Sequence, residues 1–135
     1  MSFPKLTSTY PKRIQKVVGG RYTTANEFPY HVSLQRIRMH FCGGSLISTS
    51  HVLTAGHCVQ PYVYPIKYSL SLLKVVAGLS SMYDSDGQTF DTQQIYLHPY
   101  FKKTLYGIEN DIAVIKVQII HEYNWNKNNN FSNIY

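Results

Sequence analysis

The chain has 135 residues, enough for one ordinary domain and too few for two of usual size. Hydrophobic residues make up 44% and charged residues 15%, which excludes the sparse apolar content and high charge of disordered chains. The net charge of +6 falls to +2 once Lys5, Lys12, Arg13 and Lys16 are set aside, so no basic stripe remains for a line of phosphates and no nucleic-acid role is read.

Residues 1–16 are basic, hold Pro4 and Pro11 and show no periodicity; they read as a leader. They contain no apolar core of a secretory signal. From Val17 onward the texture is short β-type runs between turn residues. Tyr30 to Gln35 alternates with Tyr30, Val32 and Leu34 on one face. Phe41 to Ile47 follows, with Gly43 and Gly44 inside it, a sign of a bend or a close backbone approach. His51 to Thr54, Lys74 to Leu79, Gln93 to Leu97 and Ile112 to Val117 complete the set. Short strands at this spacing, without a long helical period, predict an all-β antiparallel barrel or sandwich.

Between the strands, residues 60–71 are tyrosine-rich with two prolines and read as a surface insertion. Asp84-Ser85-Asp86-Gly87 resembles the opening of a calcium loop, but the later acidic ligands do not follow, so a solvated turn is expected. No apolar run exceeds the four residues Ile112 to Ile115, so no membrane helix is predicted. Six of the ten residues from Asn124 to Asn133 are asparagine, a composition suited to turns rather than strands.

Two cysteines, Cys42 and Cys58, allow either one disulfide or two buried thiols. A disulfide would imply an oxidising compartment, which sits uneasily with residues 1–16. A structural zinc site needs further ligands, and His57 adjoins Cys58 directly, an awkward arrangement for two ligands on one metal; no metal site is predicted. Leu53-Thr54-Ala55-Gly56-His57-Cys58 delivers a histidine into a turn, and histidine suits general-base work near neutral pH. Asp111 heads an apolar strand, so its carboxylate is expected to be partly buried and to need a partner such as a histidine N–H. With six histidines and seven acids, residue chemistry alone leaves that pairing open to chance.

The motifs together resemble the chymotrypsin/trypsin-like serine endopeptidases. Lys16-Val17-Val18-Gly19-Gly20 is similar to their activation junction, and Phe28 to Gln35 to the strand after it. His40-Phe41-Cys42-Gly43-Gly44-Ser45-Leu46-Ile47 resembles their following strand. Val52 to Val59 resembles their catalytic-histidine motif, with Gly56 where alanine is commoner, and Asn110 to Lys116 their catalytic-aspartate motif. The five occur in the family's order and span about Val17 to Val117.

The resemblance implies the N-terminal barrel of a two-barrel fold, with the second barrel missing. The implied organisation is an activation segment over 1–16, a partial peptidase domain over 17–117 and a non-family asparagine-rich tail over 118–135. It implies His57 as base and then acid, Asp111 as its orienter, and a disulfide between Cys42 and Cys58. Cleavage between Lys16 and Val17 by a trypsin-like activator, protein or peptide substrates, secretion, and no cofactor or membrane partner complete what it implies. The nucleophilic serine should lie in a G-D-S-G-G context after Asp111. Ser132 is the only serine there and has no flanking glycine, and Ser45 belongs to a structural strand. The 135 residues are therefore expected to be inactive by themselves, with residues 118–135 read as translated non-coding sequence. The rival expectation is a homologue that binds without cutting.

Overall fold

A computed structural model describes residues 19–118, apart from 22, 24, 25, 65–67 and 82. The segment expected as a leader, the Lys16–Val17 bond and, of the expected tail, residues 119–135 lie outside the described residues.

Among the described residues, eight strands and one α-helix follow in order. They are β1 (His31–Arg36), β2 (Met39–Ser48), β3 (His51–Thr54), α1 (Gly56–Val63), β4 (Leu73–Ala77), β5 (Gln88–Leu97), β6 (Lys102–Thr104), β7 (Gly107–Glu109) and β8 (Ala113–Val117). Six of the strands close an antiparallel barrel in the order β1-β2-β3-β8-β5-β4. Closure pairs every barrel strand on both sides, which removes the unpaired edges of an open sheet. The expected all-β antiparallel barrel is therefore the fold.

Inward positions follow the period of two. Val32 and Leu34 of β1, Val52 of β3, Leu73, Val75 and Ala77 of β4, Phe90 of β5 and Ala113, Ile115 and Val117 of β8 are all buried. The last strand holds the barrel shut. Ile115 sits opposite Val52 on one side and Ile95 on the other. Gly44 lies where three strands crowd. A Cβ there would stand 2.8 Å from Val52 Cγ1 and 3.0 Å from the Leu53 carbonyl oxygen, so the glycine permits the close approach of β2 and β3.

Three elements differ from the sequence reading. Residues 60–71 are not wholly a surface insertion, because α1 covers Gly56–Val63 and buries Val59 and Tyr62 against the barrel. β5 begins at Gln88 rather than near Gln93; its polar first half still turns Phe90 and Thr92 inward. The Thr92 hydroxyl donates to the Leu73 carbonyl at 2.8 Å, which satisfies it inside the barrel. The short hairpin β6–β7 lies apart from the barrel and exposes Leu105 and Tyr106 fully at its tip. The segment expected as a solvated turn, Asp84 to Gly87, is a mostly exposed part of the connection between β4 and β5. Asp84 Oδ2 accepts the backbone N–H groups of Ser80 and Ser81 at 2.9 and 2.7 Å.

Candidate active site

The site is made where β3 passes into α1 and where the chain enters β8. Thr54 closes β3 by donating its hydroxyl to the Gly43 carbonyl at 2.8 Å, and it sits opposite Ala113 in register. That pairing places the start of α1 beside the residues just before β8. His57, the second residue of α1, thereby meets Asp111 across 54 positions of sequence.

Asp111 makes two contacts with His57. Its Oδ1 accepts the His57 backbone N–H at 2.7 Å, and its Oδ2 lies 2.7 Å from His57 Nδ1. The first contact answers a local problem. Ala55, at the helix N-cap, has no side-chain oxygen to offer the free N–H groups of the first turn. The carboxylate arriving from the entrance of β8 supplies that acceptor, at the helix end where negative charge is favoured. The second contact fixes the imidazole. A carboxylate only accepts, so Nδ1 carries the proton and the neutral ring keeps its lone pair on Nε2. The histidine side chain is 47% exposed and the aspartate 29%, so the carboxylate sits deeper, and His57 Nε2 lies 3.6 Å from Cys58 Sγ beside the disulfide.

Asn110 aims the carboxylate. Its φ of 51° is a left-handed conformation that asparagine tolerates better than most residues. Its side-chain amide donates to the Tyr100 carbonyl at 2.8 Å, and its own carbonyl accepts the Ile112 N–H at 2.8 Å. The kink turns the chain sharply before β8 begins. Sequence reasoning placed Asn110 in a motif without a role; an asparagine just ahead of an apolar strand was the available signal.

Gly56 is explained by its neighbours. A Cβ at that position would lie 2.7 Å from Phe101 Cδ2 and 3.0 Å from Leu97 Cδ1. Phe101 occupies the volume that the alanine methyl would need. On the other side of His57, Cys42 and Cys58 form a disulfide with their Cα atoms 6.2 Å apart, tying β2 to α1. The closed loop contributes roughly 3 kcal/mol by chain entropy. Lys103 Nζ donates to Gln60 Oε1 at 2.9 Å and links the β6–β7 hairpin to the same helix. Ser45 stands in the middle of β2, opposite His31 and Leu53.

The hydrogen bond from the His57 side chain is the main cause holding the Asp111 carboxyl below its ordinary range; the N–H groups of His57 and Gly56 add to it, against a partial desolvation penalty. The sign follows directly. A depressed native pKa stabilises the fold fully above the unfolded value of about 4, and that contribution is lost as pH falls through the native value. Urea midpoints measured from pH 6 to pH 2 should therefore fall more steeply for the natural chain than for Asp111→Asn. Parallel pH curves for the two would show that the pair adds no acid sensitivity.

The structure thus brings His57 and Asp111 together on an antiparallel barrel, with the imidazole held by the carboxylate. Sequence comparisons give the family. The Trypsin family matches residues 17–133, and the chain belongs to that family of serine endopeptidases. It is 38% identical over 107 residues to trypsin delta of Drosophila melanogaster, covering 79% of this chain and 39% of that protein. Mouse chymotrypsin-C is 38% identical over 115 residues, covering 81% of this chain and 40% of that protein. Rat granzyme M is 38% identical over 104 residues, covering 76% of this chain and 36% of that protein. The chain thus spans about two fifths of the length of the curated relatives it matches.

Proposed function

We propose that this chain is the base-bearing part of a secreted serine endopeptidase that hydrolyses peptide bonds through an acyl-enzyme. His57 Nε2 takes the proton of a serine hydroxyl as that oxygen attacks the scissile carbonyl, and returns it to the leaving amine. Asp111 keeps the imidazole in the Nδ1–H form and stabilises the imidazolium that forms. The serine and the oxyanion donors come from outside these 135 residues, which are catalytically silent by themselves because acyl transfer needs nucleophile, base and oxyanion donors together. A trypsin-like protease cuts after Lys16 and frees the Val17 amino group. The protein's substrates are proteins or peptides.

The observation that carries this reading is the double contact of Asp111 with His57, which selects the tautomer that a general base requires. The test is to sequence the messenger RNA beyond the Val117 codon to its natural stop and to assay both products. The expected result is a downstream G-D-S-G-G codon run. The serine-bearing protein then cleaves peptides and is labelled by a fluorophosphonate, while the 135-residue chain is not labelled. A message that ends after Tyr135 would overturn the peptidase reading in favour of a homologue that binds without cutting.

A further inference from the structure

Tyr62 carries a hydrogen-bond donor that the fold leaves unused. The residue is 6% exposed and belongs to the core cluster under α1, yet its hydroxyl is buried without a hydrogen-bond partner. A buried polar group left unpaired is costly, and native structures rarely keep one without a reason. Its neighbours offer no remedy. Tyr68 meets the Tyr62 ring edge-on with centroids 5.7 Å apart, and the Arg36 guanidinium lies 5.5 Å from the centre of the Tyr68 ring. Burial pushes the Tyr62 phenol up, against the weaker pull of the Arg36 charge, so the hydroxyl keeps its hydrogen. A guanidinium only donates. This corner therefore holds a fork of donors and a phenol hydrogen that lacks an acceptor.

The positive charge is unanswered as well. Among the described residues Glu27 is held by Arg21, Asp91 by Lys74 and Asp111 by His57, while Arg36 and Arg38 form no ion pair. Arg36 is the last residue of β1, two positions beyond the buried Leu34, and stands in register with Met39 of β2 and Leu73 of β4. Ile37 and Arg38 make the turn between β1 and β2 with φ of 53° and 60°. A β-branched residue rarely adopts that conformation, and strain of this kind clusters at ligand clamps. The turn leaves Ile37 77% and Met39 72% exposed.

We propose that this corner of the barrel is a docking site for an acidic segment of a partner protein. A carboxylate of that segment takes the Arg36 fork and accepts the Tyr62 hydroxyl hydrogen, and its apolar residues cover Ile37 and Met39. Charge complementarity selects this occupant. Donors without an acceptor require an anion, the planar guanidinium matches a carboxylate in two parallel bonds, and Arg38 adds a second positive charge. Two large apolar side chains exposed beside them suit a peptide flank rather than a free ion. The Tyr68 ring under the guanidinium holds it in place by cation–π attraction. Arg36 and Tyr68 are both exposed, so a side-chain rotation opens the hydroxyl to the ligand. His57 lies at the start of α1 and Tyr62 near its end, and docking here needs no nucleophile, so the inference stands whether or not the protein cuts peptides.

The test uses the 135-residue chain and a dansylated peptide of two glutamates followed by two leucines, with binding read by fluorescence anisotropy at low salt. A peptide with glutamines in place of the glutamates is the comparison. The expected result is that the acidic peptide binds at least about tenfold more tightly, as a hydrogen-bonded charge should, and weakens as salt is added. Tyr62→Phe weakens it by about tenfold or more, while the urea midpoint of the free chain stays or rises, because the substitution removes only an unpaired hydroxyl. A purely structural role for that hydroxyl would not separate the two readouts. Arg36→Gln weakens binding in the same way, and Arg21→Gln, which changes the net charge equally, leaves it unchanged. Equal binding of the two peptides would overturn the proposal. So would unchanged binding in Tyr62→Phe, the result expected if a trapped water satisfies the hydroxyl, or equal weakening by Arg36→Gln and Arg21→Gln. Displacement of the peptide by phosphatidylserine vesicles more readily than by unlabelled peptide would assign the corner to a membrane surface and overturn the partner named here. None of these outcomes touches the peptidase reading, which rests on His57 and Asp111.

Discussion

Replacing Ile115 with alanine is expected to destabilise the barrel by about 2–5 kcal/mol, the usual range for truncating a fully buried aliphatic side chain. Ile115 is 0% exposed and touches both neighbours of β8, so the lost volume opens on Val52 and Ile95 together. A domain of this size has roughly 5–15 kcal/mol of stability, so the substitution removes a large share of it. The effect also reaches the site. β8 begins two residues after Asp111, and its pairing with β3 is what sets the carboxylate under His57. A lower urea midpoint at unchanged slope is the expected signature. Ile47→Ala is the control. That side chain is 56% exposed on β2, and its loss should cost under about 1 kcal/mol. Equal midpoint shifts for the two variants would contradict the core assignment.

The two cases show which parts of the molecule could be read in advance. Val52 and Thr54 flank the exposed Leu53, and Val32 and Leu34 flank a polar serine, so a period of two in residue type is a local property of the chain even though Ser33 is itself buried. The helix has no such local signature. Eight residues with Pro61 inside give too short a stripe to register, and Ala55 provides no capping signal because the cap arrives from Asp111. The β6–β7 hairpin, three residues on each side, is equally short. The first half of β5 was missed for another reason. Its inward Thr92 is satisfied by a hydrogen bond to Leu73, a partner 19 positions away that no local pattern reveals. The same limit applied to the site. His57 and Asp111 could each be judged suitable alone, but their pairing depends on strand register, and the order of five motifs was what connected them. Gly56 is the instructive detail: as a departure from the family pattern it had no visible reason until Phe101 was seen in the methyl's place.

Asp111→Asn should be the most informative change at the site itself. Asparagine preserves the shape and removes the charge, so the helix start and β8 have no steric reason to move. The His57 backbone N–H still requires an acceptor where Oδ1 now sits, and the single amide oxygen takes that position. The amide NH2 then faces Nδ1 in place of Oδ2. A donor facing Nδ1 makes that nitrogen the acceptor and moves the ring proton to Nε2. An Nε2 that already carries a proton cannot take one from a serine. In the serine-bearing protein the expected loss is about 10⁴ in kcat near neutral pH, the size seen for the same change in the template triad of this family. The present chain permits a direct check of the cause. Nitrogen-15 spectra of His57 should show the proton on Nδ1 in the natural chain and on Nε2 in Asp111→Asn. A histidine that keeps its Nδ1 proton in the variant would mean that something other than Asp111 sets the tautomer, and the double contact would lose its place at the centre of the proposed chemistry.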